Sequence, residues 1–241
     1  MNTKKILWLI TARSGSKSIP NKNIKLLGSY PLICYRVKSA LNTKSSKDVW
    51  VSTDSIKYAE ISKEFGATVP FIRPPFLATD EASSMDVILH AMEFATKNNL
   101  KYEYIGLLEP TSPFIDSEIL DKAIINLESD KNAAAIVATK ESKPNSIFIQ
   151  ENSIYLEKLA NNLKTLKKFG RQSFDKEVTP SGGFYISRWS DFLENKTFYS
   201  EKTLNYLVND IEGLEIDEPL DWEFAEFIIE KNIYDLKKIF K

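Results

Sequence analysis

Thr11 to Asn23, reading Thr-Ala-Arg-Ser-Gly-Ser-Lys-Ser-Ile-Pro-Asn-Lys-Asn, gathers three cations (Arg13, Lys17, Lys22), one glycine and several small hydroxyl residues directly behind the apolar run Ile6–Ile10. This combination suits the holding of a polyphosphate. Glycine permits a tight turn, free backbone N–H groups can point at phosphate oxygens, and Arg and Lys supply counter-charge. A solvated strand-to-helix loop that is merely basic has the same composition, so the loop alone leaves both readings open. Two common phosphate loops are excluded. Gly15 is followed by Ser16-Lys17-Ser18 with no earlier glycine at Walker spacing, and the G-x-G-x-x-G dinucleotide fingerprint is missing.

Short apolar runs and amphipathic stretches alternate through the first half of the chain, and these are the elements that must carry the loop. Ile6–Ile10, Val49–Val51, Tyr104–Leu108 and Ala133–Ala138 read as buried strands. Pro31–Leu41, Ser55–Phe65, Ser83–Ala95 and Asp116–Leu127 read as helices, the second opening after an Asp54-Ser55 cap signal. Such alternation predicts an α/β fold, a mostly parallel sheet with helices on both faces, with ligands gathering at the carboxyl ends of the strands. Residues 140–180 break the rhythm. They carry Lys158, Lys164, Lys167, Lys168, Arg171 and Lys176 and show no long helix. They read either as a small hairpin excursion, used for dimer contact or for covering the site, or as a solvated lysine-rich connection. Gly182–Ser187 returns to a strand pattern, and Glu218–Lys231 with the tail to Lys241 reads as closing helix. The whole chain, 1–241, is expected to form one domain with that excursion inside it.

Composition narrows the function. Lys+Arg 32 against Asp+Glu 33 gives a formal net charge of −1, which argues against a nucleic-acid binder that neutralises many phosphates. Any anion site is local. Met1–Lys5 is polar and the apolar run behind it is only about a strand long, so no secretory leader is read. No segment approaches the roughly 20 apolar residues of a membrane span. A cytoplasmic protein without membrane partners is expected. The single cysteine, Cys34, lies in the apolar helix start Pro31-Leu32-Ile33-Cys34-Tyr35 and reads as core, and the single His90 has no companion for metal or catalysis.

The stretch Ala12-Arg13-Ser14-Gly15-Ser16-Lys17-Ser18-Ile19-Pro20-Asn21-Lys22-Asn23 resembles the A-R-x-x-S-K-x-[IL]-P-x-K-N signature of the acylneuraminate cytidylyltransferases. Four further blocks follow in the family's order: Val51-Ser52-Thr53-Asp54; Arg73-Pro74 leading to Leu77-Ala78-Thr79-Asp80-Glu81-Ala82-Ser83-Ser84; Leu107-Leu108-Glu109-Pro110-Thr111-Ser112-Pro113; and Glu215-Ile216-Asp217-Glu218-Pro219-Leu220-Asp221. The resemblance implies a Rossmann-like nucleotidyltransferase fold and a homodimer. It also implies transfer of CMP from CTP to an acidic 2-keto sugar with Mg²⁺ and release of pyrophosphate. Arg13 and Lys22 would then grip the triphosphate, with Ala12, Ser16, Lys17 and Asn23 shaping the same pocket. Arg73, Ala82 and Ser84 match nucleotide-binding positions; the Ala82–Ser84 stretch also reads as an ordinary helix N-cap. Glu215 and Asp217 match the metal site, with Glu215 standing where the family has Asp. Residues at i and i+2 of an extended segment share a face, so both carboxylates can reach one cation while Ile216 packs inward. Asp210 and Asp221, close by, read as capping or surface acids.

On the acceptor side, Arg171, Tyr185, Phe198 and Tyr199 match positions around the sugar. The family's second arginine is replaced by Thr179, a lysine of the excursion by Ser146, and a glutamine by Glu109. These changes point away from N-acetylneuraminate toward a related sugar acid of the legionaminate or pseudaminate kind. Two other readings stay open. One is the same fold acting on another acceptor, such as an eight-carbon ulosonate, or with another triphosphate. The other is a nucleotide-binding protein of weak activity.

Overall fold

The structure is a computed structural model and describes residues 5–142, 158 and 177–241. Its centre is a six-stranded sheet built from β1 (Lys5–Thr11), β4 (Ser46–Ser52), β5 (Tyr104–Leu108), β6 (Ala135–Ser142), β7 (Glu177–Arg188) and β8 (Thr203–Leu207), in the order β4-β1-β5-β7-β6-β8. A two-stranded pair, β2 (Leu26–Leu27) and β3 (Tyr30–Pro31), stands apart from it. Within the six-stranded sheet β7 runs antiparallel to both its neighbours and the other pairs are parallel, while β2 and β3 pair antiparallel. Five strands therefore end on one edge of the sheet, and β7 begins there.

Helices α1 (Leu32–Leu41), α2 (Ile56–Glu64), α3 (Ser84–Lys97), α4 (Ser117–Ser129), α5 (Trp189–Asn195) and α6 (Pro219–Glu230) surround the sheet. β1 explains why both faces are covered. Ile6, Trp8 and Ile10 join one buried cluster with Ile33 and Val37 of α1 and Leu120 and Ala123 of α4. Leu7 and Leu9 join a second cluster with Ile88, Ala91, Met92 and Ala95 of α3. Successive strand residues point to opposite faces, so an apolar run without polar interruption requires a layer on each side. Gly106 of β5 leaves room for the neighbouring Trp8: a Cβ there would lie 2.3 Å from the indole ring. A third cluster joins Ile19, Leu27, Phe114 and Ile216 to Trp222, Ala225 and Ile228 of α6, and so ties residues from both ends of the chain together.

The helix starts follow their capping residues. Ser55, Ser83 and Asp116 occupy the N-caps of α2, α3 and α4, each accepting from a backbone N–H of the first turn. At α6 the N-cap is Glu218, and Asp221 in the first turn reaches back to accept from the amides of Asp217 at 2.9 Å and Glu218 at 2.8 Å. Beyond the elements read from sequence, the structure adds β2, β3, α5 and β8, and it extends β7 back to Glu177. The ends of the 140–180 excursion belong to the main sheet, with Lys140 opposite Thr179 and Ser142 opposite Glu177. The remainder of that segment, with Ser146 and Arg171, lies outside the described residues.

Candidate active site

β1 delivers the basic loop to the edge where the parallel strands end. The amide of Ala12, the first residue past β1, donates to the Ser52 carbonyl of β4 at 3.0 Å, which keeps Ala12 wholly buried beneath the loop and out of the cleft lining. Ser14 then donates to the Asp54 carboxylate twice, from its amide at 2.9 Å and its hydroxyl at 2.7 Å. Asn23 donates from its side-chain amide to the Arg13 carbonyl at 3.1 Å. Asn21 takes a left-handed conformation, φ 54°, and turns the chain into a short 3-10 turn at Lys22–Ile24.

Lys22 staples this loop to the far end of the chain. Its ammonium donates to the Ile216 carbonyl at 2.7 Å and lies 3.2 Å from Asp217 Oδ1, and the Ser18 hydroxyl donates to the Asp217 carbonyl. Arg73 forms part of the adjacent wall. Its amide donates to the Thr53 carbonyl at 2.8 Å, and its guanidinium donates to the Ser52 hydroxyl and carbonyl. Burial lowers its pKa to about 10, which still leaves it charged at neutral pH.

Three carboxylates face these cations. Glu109 follows β5, while Glu215 and Asp217 flank the fully buried Ile216, whose amide donates to the Thr111 carbonyl at 2.8 Å. Glu215 and Asp217 both line the cleft, but two lysines hold them from opposite sides: Lys22 on Asp217, and Lys140 at 3.5 Å on Glu215. Glu215 and Glu109 converge over Gly182, where a Cβ would come within 2.6 Å of Glu215 Oε2 and 2.9 Å of Glu109 Oε2. Gly182 has φ +60°, a conformation that glycine adopts without strain. Burial, then the Glu215 and Asp217 charges, push the Glu109 carboxyl up to about 7. Burial also raises Glu215, against the pull of Lys140.

The lining of the resulting cleft, about 670 Å³ in volume, includes Arg13, Ser16, Lys17, Lys22, Asn23, Arg73, Ala82, Ser84, Glu109, Glu215 and Asp217. Of the aromatic residues, Tyr185 and Tyr199 stand beside Glu109 and Glu215, whose charges add to burial in raising both phenols. Phe198 is buried and packs on Phe192 with ring centroids 4.7 Å apart, so it backs Tyr185 from the core. Beneath the site, the wholly buried Arg36 donates to the Ile115 carbonyl at 3.0 Å and the Gly183 carbonyl at 2.6 Å, joining the loop after β5 to β7.

Sequence reasoning read Asp54 only as part of a helix cap signal and assigned no role to Asp80, Arg36 or Lys140. Asp54 and Asp80 stood inside quoted blocks, but their partners are set by tertiary contact. Lys140 carried no sequence signal. It stands opposite Thr179 in the β6–β7 pairing, and its ammonium reaches Glu215.

A cytidylyltransferase family model matches residues 7–235. CMP-N,N'-diacetyllegionaminic acid synthase of Legionella pneumophila is 32% identical over 232 residues, covering 95% of this chain and 97% of that protein. N-acylneuraminate cytidylyltransferase of Escherichia coli is 35% identical over 235 residues, which are 94% of this chain and 52% of that longer protein. Among solved structures, a CMP:2-keto-3-deoxy-manno-octonic acid synthetase complexed with CTP shares the fold with a TM-score of 0.68 at 16% identity, over 95% of this chain and 100% of that one.

Proposed function

The chain belongs to the cytidylyltransferase family, and from that premise we propose that it transfers CMP from CTP to an acidic nine-carbon 2-keto sugar, with release of pyrophosphate. The observation that carries this reading is one cleft lined by four cations, Arg13, Lys17, Lys22 and Arg73, together with the carboxylates Asp80, Glu109, Glu215, Asp217 and Glu218. In the transfer, the acceptor hydroxyl gives up its proton to solvent and its oxygen forms a bond to the α-phosphorus. The bond from that phosphorus to the bridging oxygen breaks, and pyrophosphate leaves with the electron pair. Such a step needs positioning and charge neutralisation more than covalent help. Arg13 and Lys17 would neutralise the phosphates. Lys22, fixed by the Ile216 carbonyl, would keep the loop in register with the opposite wall.

Glu215 and Asp217 would hold a magnesium ion. Their hard oxygen donors suit it, and both line the same cleft on either side of Ile216. Magnesium is commonly held by one or two carboxylates with water and phosphate oxygens, so two protein ligands suffice. When bound, the ion would neutralise charge on the phosphates. Lys22 and Lys140 orient the two carboxylates from either side.

For the acceptor we favour a legionaminate- or pseudaminate-type sugar over N-acetylneuraminate. Glu109 beside Tyr185 and Tyr199 offers a group able to bond an amide, amino or hydroxyl substituent. The resemblance also supports a homodimer acting in the cytoplasm; no helix among the described residues is long and apolar enough to cross a membrane. The test is pyrophosphate release with Mg²⁺ across the four nucleoside triphosphates and a panel of acidic sugars. Turnover with CTP and a legionaminate- or pseudaminate-type sugar is expected. Best turnover with N-acetylneuraminate would overturn the acceptor reading. Tight CTP binding without turnover on any sugar would make this a nucleotide-binding protein instead.

A further inference from the structure

Asp80 sits in the stretch between the short turn Pro75–Leu77 and the N-cap of α3, and its carboxylate bridges two cations of the basic loop. Oδ1 lies 2.5 Å from Arg13 Nη1 and Oδ2 lies 2.6 Å from Lys17 Nζ. Arg13, Lys17 and Asp80 all line the cleft, together with Ala82 and Ser84 a few residues further on. All three side chains reach solvent, with exposures of 37%, 80% and 48%. Lys17, then Arg13, hold the Asp80 carboxyl below the usual carboxylate range by hydrogen bonding.

A carboxylate that spreads two oxygens over two cations presents the contacts that two oxygens of a phosphate group would make. A triphosphate using Arg13 and Lys17 must take them from Asp80. We infer that Asp80 is an internal stand-in for a phosphate group. It offsets part of the grip's positive charge and orders the two cations while the cleft is free of nucleotide, and it yields both when the triphosphate enters. The exchange releases the Thr79–Ala82 stretch to settle against the nucleotide. Ion pairs this exposed are individually weak, so the displacement is readily reversible. Its cost to the ligand appears as a lowered affinity, because the free cations are only a fraction of the population. This inference rests on the reading of the cleft as a nucleotide site.

Calorimetric titration of wild type and Asp80→Asn with CTP and, separately, inorganic pyrophosphate tests it. Asp80→Asn is expected to bind both about three- to tenfold more tightly, from two exposed pairs of ordinary strength. In an Arg13→Ala, Lys17→Ala background the same change should gain nothing, because the resident anion no longer has cations to release. Unchanged or weaker binding by Asp80→Asn overturns the stand-in role and makes Asp80 either inert or a residue that positions the cations. The nucleotide reading fails separately, by a different result: Arg13→Ala binding CTP and pyrophosphate as wild type does. Circular dichroism of each variant establishes that the fold is intact.

Discussion

Replacing Gly182 with alanine adds one methyl group at the point where two carboxylates meet. The backbone there has φ +60°, which costs an L residue about 1–2 kcal/mol. The new Cβ would stand 2.6 Å from Glu215 Oε2 and 2.9 Å from Glu109 Oε2, so both acids must retreat by about 0.5–1 Å to reach ordinary contact. The two effects separate in the assays. Thermal unfolding should shift down by roughly 2–8 °C, given about 2–4 °C per kcal/mol for a chain of this size. Pyrophosphate release should fall far more, by about 100-fold in kcat, since a displacement near 1 Å at the reacting centre costs about that much, some 2.7 kcal/mol of barrier. Gly182→Asn distinguishes backbone strain from crowding. Asparagine visits the left-handed region more readily, so stability should partly return, while its Cβ still crowds the acids and turnover stays low. Wild-type kcat in Gly182→Ala, or turnover restored with stability in Gly182→Asn, would refute the reasoning that Glu215 must lie where it does.

Glu109 has a folded-state pKa near 7 against an ordinary value of 4.5, so the native state holds its proton more tightly than the unfolded chain. Its contribution to stability is therefore lost as pH rises between those values. In metal-free buffer, Glu109→Gln should melt like wild type at pH 4 and be stabilised by about 2–3 kcal/mol at pH 8; equal melting at both pH values would contradict this. Asp217→Ala should abolish pyrophosphate release while leaving circular dichroism unchanged, since its side chain is 66% exposed and only its Lys22 pair is lost. An active variant would refute the metal assignment. Burial pushes the Cys34 thiol up to about 12, so native protein at pH 8 should resist alkylation by iodoacetamide and react only on unfolding, as mass spectrometry would detect.

The parts of the fold legible in sequence are those where one local rule dominates. The run Tyr104–Leu108 is a strand with those same ends, because every residue in it is buried. The capping residues set the helix starts at Ser55, Ser83 and Asp116. Elements that hold their place by tertiary pairing were not legible. β8 mixes exposed and half-buried residues along the sheet edge, and α5 has seven residues, too few for a helical period to stand out. Only the apolar portion of β7 was visible, because Glu177–Pro180 alternates between exposed and half-buried positions. The site followed the same division. Its composition could be read from blocks of sequence. The bonds that organise it, Lys22 to Ile216, Asp80 to Arg13 and Lys17, and Lys140 to Glu215, depend on register and approach that no local pattern encodes.

The staple between Lys22 and Ile216 also sets a clock. The two residues are 194 positions apart in sequence, and Ser18 and Asp217 are 199 apart. At a synthesis rate of about 5–20 residues per second, the basic loop leaves the ribosome roughly 10–40 s before the segment around Ile216 that completes its cleft. During that interval Arg13, Lys17 and Lys22 form a cationic finger without its opposite wall. Docking of α6 and the segment before it can follow only after that later stretch has been made, so completion of the cleft is separated in time from synthesis of its basic loop.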